Sequence, residues 1–256
     1  MKIFSAVIIL IWLVSFCCND PSLLKKPSLL AGERSNYMIV DGIKPPEGFI
    51  RVESSRDSFG EWLRNISLKK ENIVYLYNGV RKQNQTAQFA VLNISVGKKN
   101  LQQCADAVMR LRAEFLFDKM RFSEIEFRDN NDKSYWYKGK TNKELFHRYL
   151  ETVFGWCGSA SLEKQLQSVA DPQDIQAGDV FIKGGFPGHA MIVIDVAVNK
   201  KKEKVFMLAQ SYMPAQDIHI VNNPMDKKLS PWYSLNDTRL LHTPEWTFSQ
   251  NQLRRW

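Results

Sequence analysis

The sequence predicts an α+β fold, and three observations carry that prediction. Residues 101–117 hold the clearest helical period in the chain, with Leu101, Cys104, Ala105, Val108, Leu111 and Phe115 on one face at three- and four-residue steps. From Gly178 onward the texture changes to β, and residues 189–198 are almost all apolar (HAMIVIDVAV), as in a strand covered on both faces. A charged turn at 199–203 then sends a second apolar run, 205–211, back along the first, so the pair reads as antiparallel.

The chain begins outside any such domain. Met1-Lys2 is a short basic start, and Ile3 to Phe16 is apolar without a charge, the order of a secretory signal. The run is shorter than the roughly 20 residues a spanning helix needs. Cys17 and Cys18 follow at once. The segment Val14 to Cys18 resembles a bacterial lipoprotein signal, which implies a lipid on Cys17 or Cys18 and a membrane anchor as the first partner. Residues 1–18 are therefore expected to be the signal. Residues 19–36, with Pro21-Ser-Leu-Leu and Pro27-Ser-Leu-Leu repeated, are expected to be a tether, and 37–256 a single globular domain.

Within that domain Asp57 or Ser58 can cap a short helix through Leu63, 73–77 (IVYLY) reads as a strand, and 89–96 alternates apolar and polar as another. Residues 122–127 read as a strand. A helix is expected over 142–154, stopped by Gly155, and a third helix capped by Ser159 or Ser161 runs through Leu166. Short strands are expected at 179–183 and 217–221. A hydrophobic share of 44% suffices for a core, and a net charge of +8 gives a basic surface. In an exported protein that charge suits anionic cell-wall polymer or lipid headgroups, not nucleic acid, and could equally serve solubility alone. No HExxH or paired-cysteine spacing appears, so neither a metal nor another cofactor is expected.

Removing the signal leaves Cys104 and Cys157 as the body's cysteines, and an exported pair can form a disulfide. A nucleophilic cysteine needs instead a base in reach, an orienting group and help for the thiolate. Cys104 falls in the first turn of its helix, where free N–H groups and the dipole favour negative charge. His189 opens the apolar strand directly after Gly184-Gly185-Phe186-Pro187-Gly188, small residues that leave room beside an imidazole. A turn centred between Asn199 and Lys200 sets Gln210 directly across from His189, while a turn shifted by one residue brings Ser211 or Tyr212 near. Gln210 would then hold one tautomer of the ring. Gln102 or Gln103, with the Cys104 N–H, would steady an oxyanion. Asp195 lies on the His189 face at period two and needs a partner such as Arg110 or Arg112. His219 is a lesser polar candidate, and His147 and His242 read as surface or packing residues.

A helix-start cysteine, then Gly178-Asp179 before a short strand, then Gly188-His189 opening a longer one, then a polar residue on the returning strand: this order resembles the NlpC-type, papain-like cysteine peptidases and amidases. The resemblance implies a papain-like core, one helix packed on an antiparallel sheet, here with N-terminal strand additions and helices inserted between Cys104 and His189. A second resemblance covers the whole exported region. WLRNISL (Trp62 to Leu68), LQQCADAVMRLRAEF (Leu101 to Phe115), GDVFIKGGFPGHAMIVIDVA (Gly178 to Ala197), LAQSYMPAQDIHI (Leu208 to Ile220) and SPWY (Ser230 to Tyr233) are similar to bacterial envelope lipoproteins defined only as a domain of unknown function. That family implies an envelope location and assigns no activity. In its pattern the position of Cys104 belongs to a motif, whereas that of Cys157 is more often a small residue, which favours Cys104 as nucleophile.

The expected protein is thus lipid-anchored in the envelope of a Gram-negative-type bacterium, facing periplasm or exterior. Its expected chemistry is thiol hydrolysis of peptide or amide bonds in cell-wall material. The competing expectation is a non-catalytic protein that binds glycan or peptide in a cleft, with Trp232 and Tyr233 among the aromatic residues suited to line it.

Overall fold

The computed structural model describes residues 38–235 and 239–256; the expected signal, the tether, and Cys17 and Cys18 lie outside them. The elements in chain order are β1 (Phe49–Arg51), α1 (Phe59–Arg64), β2 (Gln88–Val91), α2 (Cys104–Asp118), β3 (Glu126–Arg128), β4 (Ser134–Trp136), α3 (Lys143–Trp156), α4 (Ser159–Gln165), β5 (Gln167–Ser168), β6 (Val180–Lys183), β7 (His189–Asn199), β8 (Lys204–Gln210), β9 (His219–Val221), β10 (Trp232–Ser234), β11 (Leu240–His242), β12 (Thr247–Ser249) and β13 (Leu253–Arg255). The fold is α+β, with helices packed on a large antiparallel sheet.

The long β7–β8 hairpin is the spine of that sheet, whose order is β2-β9-β8-β7-β6-β13-β5. Because β7 is longer than its neighbours, its outer edge is shared: β6 pairs with His189 to Ile192 and β1 with Ala197 to Asn199. The outer edge of β8 is divided likewise between β10 and β9. The apolar run of β7 is explained by cover on both faces. Ala190, Ile192 and Ile194 join the core beneath α1 and α2, while Met191 and Val193 join a second cluster with Phe181, Phe206, Leu208 and Phe248.

Helix α2 packs against β7, with Ala105, Val108, Leu111 and Phe115 buried. Each large apolar side chain of that stripe stabilises the fold by about 1.5–3 kcal/mol on burial. The helix begins at Cys104, three residues later than the period starts, because Gln103 is its N-cap and donates its backbone N–H to Asp106 Oδ2 at 2.9 Å. Ser58 caps α1 through its hydroxyl, which accepts the Glu61 N–H. Asn142 caps α3 in the same way, and that helix runs through Gly155 to Trp156, since Gly155 does not adopt the left-handed conformation that ends a helix.

Three expected strands differ. Residues 73–77 form only isolated pairings: the Gln85 side-chain amide takes the Val74 N–H and shares the Val74 carbonyl with the Lys82 N–H. The strand expected over 89–96 ends at Val91, and the Ser95 carbonyl accepts from Arg110 instead. Residues 122–127 divide into a 3-10 turn (Phe122–Glu124) and β3, which forms a hairpin with β4. Among the described residues no helix is long and apolar enough to cross a membrane.

Candidate functional site

Three elements meet at one end of the spine. Cys104 is the first residue of α2, His189 the first of β7 and Gln210 the last of β8. His189 Nε2 lies 2.8 Å from Gln210 Oε1, and both residues are buried. The register is the shifted alternative, which brings Tyr212 near His189, and not the one that sets Gln210 directly across. Ile192 pairs with Ala209 and Val193 with Leu208, after a bulge between Val193 and Asp195. In this register Gln210 is a diagonal neighbour of His189 on the same face, within reach of a long side chain. The aromatic ring of Tyr212 packs on the imidazole at 5.0 Å, Trp246 at 5.1 Å and Phe248 at 5.8 Å.

Cys104 is partly exposed and is not in a disulfide, nor is the buried Cys157. The backbone amides of Ala190, the residue after His189, of Ala105 and of Cys104 itself favour the thiolate. Among the described residues no hydrogen bond joins Cys104 Sγ to the imidazole. Burial pushes the Cys104 thiol up, the Asp106 carboxylate adds to this, and the three N–H groups oppose it. Burial takes His189 down to about 4, against the bond from Gln210 and with the Lys82 charge assisting. At neutral pH the site therefore rests as a thiol and a neutral imidazole. Asp106 is itself pushed up to about 8 by burial, against the N–H groups of Gln103 and Asp106. Cys157 is pushed up to about 12, chiefly by burial, with Asp129 and Asp106 adding. It is the less activated thiol of the two.

The network continues beyond Gln210. Gln210 Nε2 is 2.8 Å from Glu245 Oε2 and 3.4 Å from His219 Nε2. Lys82 Nζ donates to the same Glu245 oxygen at 2.6 Å, and His219 Nδ1 lies 2.9 Å from the Asp217 carbonyl. His219, wholly buried opposite Gln210 on β9, is held near 3 by burial first. Neither Glu245 nor Lys82 stands in any periodic segment. Their signal in the sequence is faint: Glu245 sits between Thr243-Pro244 and Trp246 in the β11–β12 turn.

Other expectations are relocated. The Gln102 side chain is fully committed: its Oε1 accepts from Arg110 Nη1, and Nε2 lies 3.4 Å from the Gln216 carbonyl. Gln103, half-buried at the N-cap, remains beside the sulfur-bearing turn. The glycine before His189 does not leave open room. A Cβ on Gly188 would meet Ser159 Oγ at 2.2 Å and the Gly185 carbonyl at 2.6 Å, so this glycine lets the loop close on the start of α4. Gly178, at φ +94°, turns the chain into β6, and Asp179 is held there by Arg255 at 2.7 and 2.8 Å. Asp195 meets neither Arg110 nor Arg112; Arg51 and Arg64 bind it at 2.7 and 2.6 Å. Trp232 and Tyr233, expected to face a cleft, are buried core residues. His147 is exposed, and His242 is half-buried against Thr247.

A helix-start cysteine beside a strand that begins with an amide-held histidine defines an α+β protein with a candidate thiol site. The chain belongs to the family described as domain of unknown function 4846, which matches residues 39–139 and 129–255. No curated protein and no solved structure matches it.

Proposed function

We propose that this protein is a papain-like thiol hydrolase of the bacterial cell envelope, exported by its N-terminal signal and anchored by lipid on Cys17 or Cys18. The observation that carries the reading is the bond between His189 Nε2 and Gln210 Oε1, at 2.8 Å, on a strand whose second residue, Ala190, has a backbone amide that favours the Cys104 thiolate. With Nε2 donating to Gln210, the imidazole has its other nitrogen, Nδ1, free to take a proton.

Cys104 would attack the carbonyl carbon of an amide while its proton passes to His189 Nδ1. The carbonyl electron pair moves to oxygen, and the Cys104 N–H with Gln103 steadies that charge. The imidazolium returns the proton to the leaving nitrogen as the C–N bond breaks, leaving a thioester. Water, deprotonated by His189, then releases the acid and restores the thiol. A histidine lowered to about 4 and a raised thiol make proton transfer part of the attack, without a preformed ion pair. The proposed substrate is a peptide or amide bond of cell-wall material, to which the net charge of +8 is suited.

A second reading, binding without chemistry, is favoured by a cavity of about 400 Å³ at the approach to α2, lined by Leu101, Gln102, Arg110, Leu150 and Phe154. Incubating the full chain with purified cell-wall peptides separates the two. New amine and carboxyl ends that appear with wild type and vanish with Cys104→Ala and His189→Ala support hydrolysis. Saturable binding with no new ends, identical in all three proteins, supports the cavity.

A further inference from the structure

Gln210 can orient His189 only while its own amide is kept from turning over. A flipped amide would offer its NH₂ to His189 Nε2, which would then accept, and the ring proton would move to Nδ1. That is the nitrogen the thiol chemistry requires to be free. We infer that Glu245, held by Lys82, and His219 are positioning residues that lock the Gln210 amide and so place the imidazole lone pair on Nδ1. The purpose of the lock rests on the hydrolase reading; its geometry does not.

Two independent acceptors face the amide nitrogen. The first is Glu245, whose Oε2 accepts from Gln210 Nε2 at 2.8 Å. Lys82 donates to that oxygen at 2.6 Å, and Asn84 Nδ2 approaches the other at 3.4 Å, so the carboxylate is fixed from its far side. The second acceptor is His219. Its Nδ1 lies 2.9 Å from the Asp217 carbonyl, which can only accept, so Nδ1 carries the proton. Nε2 is thereby left with a lone pair turned to Gln210 Nε2 at 3.4 Å. The amide thus gives both hydrogens to acceptors and presents its oxygen to His189. Turning it over would set oxygen against a carboxylate and a lone pair at a site where Gln210 is 1% and His219 0% exposed.

The two histidines must therefore be opposite tautomers, and this can be read directly. In long-range proton–nitrogen correlation spectra of the ¹⁵N-labelled full chain, His189 is expected as the Nε2–H form and His219 as the Nδ1–H form. The double variant Lys82→Met/Glu245→Leu removes the carboxylate without stranding an ammonium. It is expected to add an Nδ1–H signal for His189 and to slow alkylation of Cys104 by iodoacetamide about tenfold, a part of what a positioned base supplies. Glu245→Gln, whose amide oxygen can replace Oε2, is expected to restore the pure Nε2–H form. Wild-type His189 found as Nδ1–H overturns the inference without any variant, and so does a folded double variant with unchanged tautomer and unchanged alkylation. Should the double variant not fold, the wild-type tautomer pair and Glu245→Gln decide. If the tautomers are as stated but alkylation and wall-peptide cleavage ignore His189, the hydrolase reading fails and the lock stands.

Discussion

Gln210 Oε1 accepts from His189 Nε2 at 2.8 Å although the two residues are not directly across the β7–β8 ladder but diagonal to one another. A shorter side chain would not span the diagonal. Gln210→Ala is expected to leave the His189 N–H and the acceptors on Glu245 and His219 without their partner, costing about 1–3 kcal/mol of stability. It should also slow Cys104 alkylation in the folded protein. Urea denaturation gives the first quantity and a timed alkylation series the second.

Stability should pass through a maximum near pH 6.5. His189 and His219, lowered to about 4 and about 3, stay unprotonated in the fold, while the unfolded chain takes up protons below 6.5. Falling pH therefore destabilises the fold across that window, by about 1.4 kcal/mol per pH unit for each histidine. Asp106 has the opposite sign. Raised to about 8 from 3.8, it holds a proton that the unfolded chain has lost. Its contribution is whole at acid pH and fades as pH climbs to 8. Between 4 and 6.5 the two histidines outweigh the one aspartate, and above 6.5 the aspartate acts alone. Denaturation midpoints from pH 4.5 to 8.5 check this, and Asp106→Asn should remove the alkaline decline while leaving the acid one.

The same Asp106 carboxylate also holds the Cys104 thiol up. Asp106→Asn is thus expected to lower the pH at which Cys104 alkylation reaches half its maximal rate. An unchanged or raised midpoint would mean that the carboxylate does not bear on the sulfur.

Asp195 tests the structural half of the account. It is fully buried, and Arg51 Nε, Arg64 Nε and the Val196 N–H converge on its carboxylate. Asp195→Ala leaves Arg64 without a carboxylate and Arg51 with Asp41 alone, and is expected to cost about 3–5 kcal/mol. Urea denaturation measures it, and the tautomer of His189, at the far end of β7, should not change if the protein still folds.

The parts of the site carried by local pattern were legible. The helical period locates the body of α2, and the Gly-His step locates the start of β7. Gln210 does meet His189, but not by the direct cross-strand pairing the sequence suggests. The turn at 199–203 and the bulge at Val193/Asp195 shift the ladder, and only the length of the glutamine side chain restores the contact. The bulge also bends β7 locally, so counting by twos linked Asp195 to His189 and to the wrong arginines. Lys82 and Glu245 were not legible at all. They come from two loops far apart in the chain, carry no period, and acquire meaning only when the β11–β12 turn folds over the end of β8. Apolar spacing starts the helix three residues before Cys104 because it does not register a cap.

The central claim is that Cys104 is a thiol activated through His189, and covalent labelling of the full chain with a thiol-directed electrophile, followed by peptide mapping, tests it most directly. The account predicts an adduct on Cys104 in the folded protein, slowed at least about tenfold in His189→Ala, with the buried Cys157 reacting only after denaturation. Equal labelling of Cys104 with and without His189, or a Cys104 as inert as Cys157, would contradict it.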